Sequence, residues 1–284
     1  MDEGKAMEKP KVSIIVPTYN SGETLSECLE SVHRQRYPLY EVIVVDNFSS
    51  DGTIRIATER SAKITQQRSN PASARNIGVA NSTGKYVLFL DSDEALSPPV
   101  IEECVRECEN GGFGMVRIPE IFLGKKFWDS CAAAWKNCYN MIEQRQIGEQ
   151  TIRGEPRFFV KREVIRAGML NANLLWGENY DLYNRLDQMN VRETSCSSKI
   201  HHYEPTSVRK IVAKDYRYGK SMPAFMQHTQ KQVFRWMFRR SLLTLGEVLR
   251  NFRRSPAIIC GCTVLLGLKT YSIGIGLLVA AMSN

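Results

Sequence analysis

Only eight of the 284 residues are cysteines (positions 28, 104, 108, 131, 138, 196, 260 and 262), and no two stand in the C-x-x-C spacing of structural zinc sites. That argues against a zinc ribbon or finger, and free thiols are the expected state. The opening stretch MDEGKAMEKPK has no apolar run of the kind a secretory signal needs. The catalytic part is therefore expected on the cytoplasmic side, where disulfides are rare outside hyperthermophiles. No repeat or low-complexity tract is present, which argues against a solenoid or a disordered chain. A net positive charge is also lacking over most of the length. The formal net charge is +8, yet residues 209–254 hold twelve Lys or Arg against two acids and Lys269 adds one more, which leaves residues 1–208 at −3. A nucleic-acid surface across the chain is disfavoured on that ground, and no nucleic-acid partner is expected.

The chain has ample apolar content: 43% of its residues are hydrophobic, enough for a full-sized core. Through the first hundred residues strand and helix signals alternate. VSIIV before Pro17 reads as a buried strand, Leu25, Leu29 and Val32 as a helix, and YEVIVVD as a second strand ending at Asp46. A short helix from about Thr53, a weaker strand to Gln66, a helix over PASARNIGVANS and the strand KYVLFL follow. Ser97 reads as the N-cap of a further helix with Pro98 at its first position, closed by Gly111-Gly112. Strands joined by helical crossovers make an α/β fold with a mostly parallel, Rossmann-like sheet flanked by helices.

Ligands of such sheets sit at the carboxyl ends of the strands. Those ends are Pro17-Thr18-Tyr19-Asn20, Asp46-Asn47 and Asp91-Ser92-Asp93, an acidic edge. Acids repel phosphates unless a hard divalent cation such as Mg²⁺ or Mn²⁺ lies between them, so a metal-bridged nucleotide diphosphate fits. If the strand continues through Asp91 and Asp93, the two side chains share one side. A bare D-x-D is weak, since a solvated turn with a helix-capping Asp explains it as well; its place after a buried strand favours the ligand reading.

VSIIVPTYN, VIVVDNFSSDGT, ARNIGV and LFLDSD stand in the order and spacing of the family 2 glycosyltransferases, and the resemblance covers about residues 10–205. It implies the GT-A fold and an inverting transfer from a nucleotide sugar. By this likeness Pro17, Thr18, Tyr19 and Asn20 match the nucleoside loop. Asp46 matches the contact to the base, with Asp51 in the same motif, and Arg75 matches the basic residue of the donor pocket. Asp91 matches the ribose or metal contact, with Ser92 between it and Asp93, which matches the metal ligand. Asn47 stands where many relatives have a second Asp.

LLWGENYDLYNRLDQM resembles the family's G-E-D-x-D-L-x-x-R-L stretch, which usually supplies the general base, but Asn179 replaces the central Asp and an amide cannot take a proton. Either Glu178, or less readily Asp181, acts as base, or the acceptor is a phosphate that needs none. As plain structure, both acids suit the first turn of a helix. Trp176 reads as packing rather than an acceptor platform. In KIHHYEP, His201 or His202 is a candidate to complete the metal site, and alternation in a strand lets only one of them face inward.

The last eighty residues are basic and helical. Val233, Phe234, Met237, Phe238, Leu242, Leu245, Val248, Leu249 and Phe252 recur at helical spacing, largely apart from Arg235, Arg239, Arg250 and Arg253, as in a helix at a membrane interface. Residues 256–282 carry a single charge, Lys269, and are long enough to cross a bilayer as one helix or to enter it as a hairpin. Arg250, Arg253 and Arg254 before them fit a cytoplasmic catalytic domain. The expected layout is a catalytic domain over residues 1–205, a basic amphipathic segment over 206–254 and a hydrophobic anchor over 255–284. The resemblance extends to dolichyl-phosphate sugar synthases and lipid-linked glycan transferases. The expected activity is thus transfer of a hexose, with GDP-mannose slightly ahead of UDP-glucose, to a lipid-linked acceptor such as a polyprenyl or dolichyl phosphate or a lipid-linked glycan. The alternative is a noncatalytic protein that binds the nucleotide sugar.

Overall fold

The computed structural model describes residues 9–145, 156–174, 177–203, 207–228 and 232–282. Trp176 lies outside them, as do the side chains of Val233, Phe234, Arg235, Met237 and Phe238. The chain forms two compact units, and the division is not a single cut near residue 205. The first unit is 1–119 with 156–170 and 182–199; the second is 120–155 with 171–181 and 200–284.

The first unit is built on a seven-stranded sheet. In chain order its early elements are β1 (Val12–Thr18), α1 (Leu25–His33), β2 (Tyr40–Asp46), α2 (Thr53–Glu59), β3 (Lys63–Gln66), α3 (Pro71–Asn81) and β4 (Tyr86–Phe89). The short strand β5 (Glu94–Leu96), α4 (Val100–Gly111), β6 (Met115–Arg117) and the second unit's first strand, β7 (Glu120–Leu123), come next. The second unit's α5 (Phe127–Arg145) then precedes β8 (Phe158–Val160), α6 (Lys161–Arg166), α7 (Glu178–Gln188) and β9 (Glu193–Ser195). Strand order across the sheet is β3-β2-β1-β4-β8-β6-β9. β1 pairs in parallel with β2 and β4, and β8 runs antiparallel between β4 and β6.

Residues Val12, Ile14, Ile15 and Val16 are all fully buried, as a central strand covered on both faces requires. Helix α1 buries Leu25, Cys28, Leu29 and Val32 at three- and four-residue spacing. Helix α3 opens with a capping box between Asn70 and Ser73 and has Pro71 at its start. Helix α4 begins at Val100, later than the Ser97 cap implies: Ser97-Pro98-Pro99 forms a turn in which Val100 N–H donates to Ser97 O at 3.1 Å, and no side chain caps the helix. Its end is as expected, with Gly112 in the left-handed conformation at φ +63.

The second unit pairs β7 in parallel with β10 (Ile200–Tyr203) and gathers α5 with three C-terminal helices, α8 (Val208–His228), α9 (Gln232–Asn251) and α10 (Pro256–Met282). Cys131, Ala134, Cys138, Val248, Cys262 and Leu265 form its core. Helix α10 runs unbroken through Lys269, so the hairpin, which would need a break there, does not form. It is the one helix among the described residues that is long and apolar enough to cross a membrane.

Candidate active site

In the first unit the carboxyl ends of β1, β2 and β4 bring the motif residues into one connected network. Asp46, the last residue of β2, is fully buried. Its Oδ1 accepts from Thr18 Oγ1 at 2.9 Å and from Ser49 Oγ; its Oδ2 accepts from Ser49 N–H at 2.9 Å and Gln66 Nε2 at 3.2 Å. These four bonds fill the lone-pair positions of a carboxylate. Asp46 therefore ties β1, β2 and β3 together and, as placed, offers no surface to a base. Asn47 Oδ1 accepts from Ser69 N–H at 3.2 Å, a use the amide serves without a second acid.

Asp51 braces the loop after β1. Gly22 N–H donates to its Oδ2 at 2.9 Å, and Thr53 donates to its Oδ1 through both N–H and Oγ1 at the start of α2. The hydrogen bond from the Thr53 hydroxyl is the main cause that holds this carboxyl below the usual Asp range. Asn20 takes a left-handed backbone at φ +50, which its side chain secures by accepting from Ser50 N–H at 2.9 Å. Tyr19 beside it is 62% exposed and Phe48 is 53% exposed, with the Arg68 guanidinium 5.8 Å from the Phe48 ring centre.

The ARNIG motif in α3 divides its work among three residues. Arg75 is buried and its Nη2 donates to Asp91 Oδ1 at 2.6 Å. Asn76 pins the chain after α6, donating to Leu170 O at 2.8 Å and accepting from Leu170 N–H at 2.9 Å. Gly78 lets the helix rest on β1, since a Cβ there would lie 2.2 Å from Ile15 Cγ2.

The D-S-D segment is a turn, which corrects the expectation that the strand runs through it. β4 ends at Phe89; Glu94 N–H donates to Asp91 O at 3.0 Å, and Glu94 Oε2 accepts from Asp91 N–H at 2.8 Å. Closure of the chain by Glu94 outweighs the tendency of a β-rich run to continue. Ser92 Oγ donates to Ser21 Oγ at 2.8 Å and joins this turn to the β1 loop. Asp91 meets a second buried guanidinium, that of Arg157, whose Nη1 is 3.4 Å from Asp91 Oδ2 while its Nη2 donates to the fully buried Glu94 at 2.8 Å. Arg157 and Glu94 are the participants that motif reading missed. The one signal was a basic residue opening the apolar run RFFV. Cys28 reports the acidity of this edge: burial first, and then the carboxylates of Glu94, Asp93 and Asp91, push its thiol up.

The remaining candidates belong mainly to the second unit. His202, on β10 opposite Phe122, has its Nδ1 3.6 Å from Glu120 Oε2 and its ring centre 4.9 Å from that of Phe122; its neighbour His201 is paired in register with Ile121. Glu178 and Asp181 stand in the first turn of α7, where Asp181 N–H donates to Gly177 O at 2.9 Å and Gly177 supplies the left-handed residue (φ +79) that leads in.

The profile described as "Glycosyl transferase family 2" matches residues 13–168, more than half the chain. The chain belongs to this family. Among relatives, the glycosyltransferase AglE of Haloferax volcanii is 28% identical over 221 residues, covering 74% of this chain and 72% of its own length. A putative glycosyltransferase of Bacillus subtilis, EpsH, is 26% identical over 236 residues, covering 80% and 66%. Two solved structures share the fold. The mannosyltransferase PcManGT from Pyrobaculum calidifontis in complex with GDP-Man and Mn²⁺ has a TM-score of 0.60 at 21% identity, over 98% of this chain and 88% of that one. S. aureus TarS 1–349 in complex with UDP-GlcNAc scores 0.55 at 16% identity, over 95% and 90%. The family 2 match makes the protein a glycosyltransferase of GT-A-like architecture, and the polar network described above occupies the strand ends at which such sheets bind ligands.

Proposed function

We propose that the protein is an inverting hexosyltransferase that takes its sugar from a nucleotide diphosphate donor, with GDP-mannose favoured over UDP-glucose, and passes it to a lipid-linked acceptor at a membrane. The observation that carries the donor assignment is the network joining Thr18, Asn20, Ser21, Asp46, Asp51, Arg75, Ser92 and Asp91 at three adjacent strand ends. It gives exposed Tyr19 a rigid seat as one wall for a nucleoside. Asp46 organises that seat, and a base would reach its carboxylate only by replacing Gln66, the longest of its four partners. Arg75 and Arg157 hold Asp91 oriented and offset its charge, which eases the approach of a diphosphate. The slight preference for GDP-mannose rests on likeness alone.

The donor set suits a divalent cation. Carboxylate oxygens match Mn²⁺ or Mg²⁺, an added imidazole would favour Mn²⁺, and with two guanidinium groups on Asp91 the principal carboxylate ligand is assigned to Asp93, with Asp91 secondary. His201 or His202 would add an imidazole; His202 has Glu120 beside it to orient the ring. Such an ion supplies Lewis-acid neutralisation of the departing diphosphate. On the acceptor side, Glu178 is the base for a hydroxyl acceptor, with Asp181 behind it, because Asn179 cannot accept the proton; a phosphate acceptor, already ionised, would require no base. The C-terminal helices support the membrane assignment, and the catalytic part is assigned to the cytoplasmic face.

The test is calorimetric titration of GDP and UDP with and without Mn²⁺, on the wild type and on Asp93→Ala. At least about a tenfold tightening by Mn²⁺, some 1.4 kcal/mol, is expected for one nucleotide in the wild type and none in the variant. Equal affinity with and without metal in both proteins would refute the metal assignment.

A further inference from the structure

Helix α10 has two unlike sides. One packs on the protein: a Cβ at Gly261 would lie 2.3 Å from Cys131 Sγ of α5, and one at Gly276 would lie 2.4 Å from Tyr216 O and 2.8 Å from Lys220 N of α8. Gly219 answers from α8, where a Cβ would be 2.3 Å from Ile273 O. The two helices thus meet backbone to backbone through small residues, with Ser272 buried nearby. Lys269 is itself exposed, and by helical spacing it stands at the margin of the packed side, four residues from Leu265, three from Ser272 and seven from Gly276. The opposite side shows Val264, Tyr271, Leu278 and Met282 to solvent and carries no charge.

Helix α8 lies beside the middle of α10. Ile211 packs on the cluster that holds Cys262 and Leu265, while Tyr216, Gly219 and Lys220 meet Ile273 and Gly276. The stretch between them carries Lys214, Asp215 and Arg217, with Arg209, Lys210 and Lys220 at its ends. If α10 crossed a bilayer, this run of charges would stand at the level of the hydrocarbon, where each charged residue costs about 2.5 to 3.5 kcal/mol. Helix α9 adds a second sign. It buries Arg240, Thr244 and Glu247, with Arg240 against the Tyr139 ring and carbonyl, and turns Leu242, Leu243 and Leu249 outward among exposed Arg239, Arg250 and Arg253. Charged residues inward with leucine and arginine outward suit an interface of acyl chains and anionic headgroups rather than water.

We infer that α10 does not cross the membrane but lies in its plane, seated in one leaflet by its Val264–Tyr271–Leu278 side, with the outward leucines of α9 joining it on an anionic lipid surface. This rests on the membrane association proposed above and specifies its geometry. Its test uses inside-out membrane vesicles from cells expressing the full chain with an epitope tag at each end, treated with protease. The expected result is loss of both tags from membrane-bound protein without detergent. A C-terminal tag that survives until detergent is added, while the N-terminal tag is lost, would make α10 a span and overturn the inference, leaving membrane association intact. In parallel, purified chain is floated with phosphatidylcholine vesicles containing phosphatidylglycerol. At least about a tenfold loss of flotation is expected for Tyr271→Glu/Leu278→Glu, with nucleotide affinity unchanged. Wild-type protein that binds nucleotide yet never floats would overturn both the geometry and membrane association, and if it runs as a discrete dimer in ultracentrifugation the apolar side belongs to a second copy.

Discussion

Asp91 sits between two buried guanidinium groups, and this pairing gives the acidic edge its particular character. The ARN motif drew attention to Arg75 as a basic residue but not to its pairing with Asp91, and little in the sequence marked Arg157, because its partners are sixty or more residues away and no local pattern announces a buried ion pair. Removing a partner from such a pair is costly, since burial leaves little solvent to replace it. Arg157→Met is expected to lower stability by about 3 kcal/mol in chemical denaturation. Adding Glu94→Gln should recover part of that loss without restoring turnover, because Asp91 would still lack its second cation. A variant as stable as wild type would mean that Arg157 is a bystander. Asp46 shows the complementary case: its position at the strand end was read correctly, but the saturation of its carboxylate depends, beside the local Ser49, on Thr18 and Gln66, which only the fold brings to it.

Among the elements, β1, β2 and their neighbours were readable because a largely apolar run such as VSIIV or VIVV has few other ways to be buried, although β1 continues through Pro17 to Thr18. The boundaries that strayed, at the D-S-D turn and at the start of α4, are places where one side chain or a Pro-Pro turn decides against local propensity. Glu41 on β2 shows how elements are fastened. Burial alone would raise its carboxyl, but hydrogen bonds from Ser13 on β1 and from Thr83 before β4, together with the Lys11 ammonium, outweigh that and hold it at about 2, against 4.5 ordinarily. Because the folded value lies below the unfolded one, the stability this group contributes is complete above about pH 4.5 and is lost as pH falls towards 2. Denaturation measured across that window should show a loss on the order of 2 to 3 kcal/mol that is largely absent in Glu41→Gln; equal slopes in the two proteins would exclude the group.

At the scale of the whole molecule, the expected three-part layout and the two observed units differ for a physical reason. Helix α5 packs on α9 and α10 through Cys131, Ala134 and Cys138 against Val248, Cys262 and Leu265, so this middle stretch of the chain belongs to one unit with the tail. Sequence separation hides such a partnership, whereas the apolar 27-residue tail itself was plain. In the proposed function this tail is what would bring the donor chemistry to a lipid acceptor. The most direct test of that link is transfer of radiolabel from GDP-mannose or UDP-glucose into organic-extractable lipid, with Mn²⁺ or EDTA, by membranes containing wild type or Glu178→Ala. Lipid labelling from one donor that EDTA abolishes is expected, with Glu178→Ala deciding between a hydroxyl acceptor, where labelling fails, and a phosphate acceptor, where it persists. No labelled lipid from either donor, in protein that still binds nucleotide, would contradict the link.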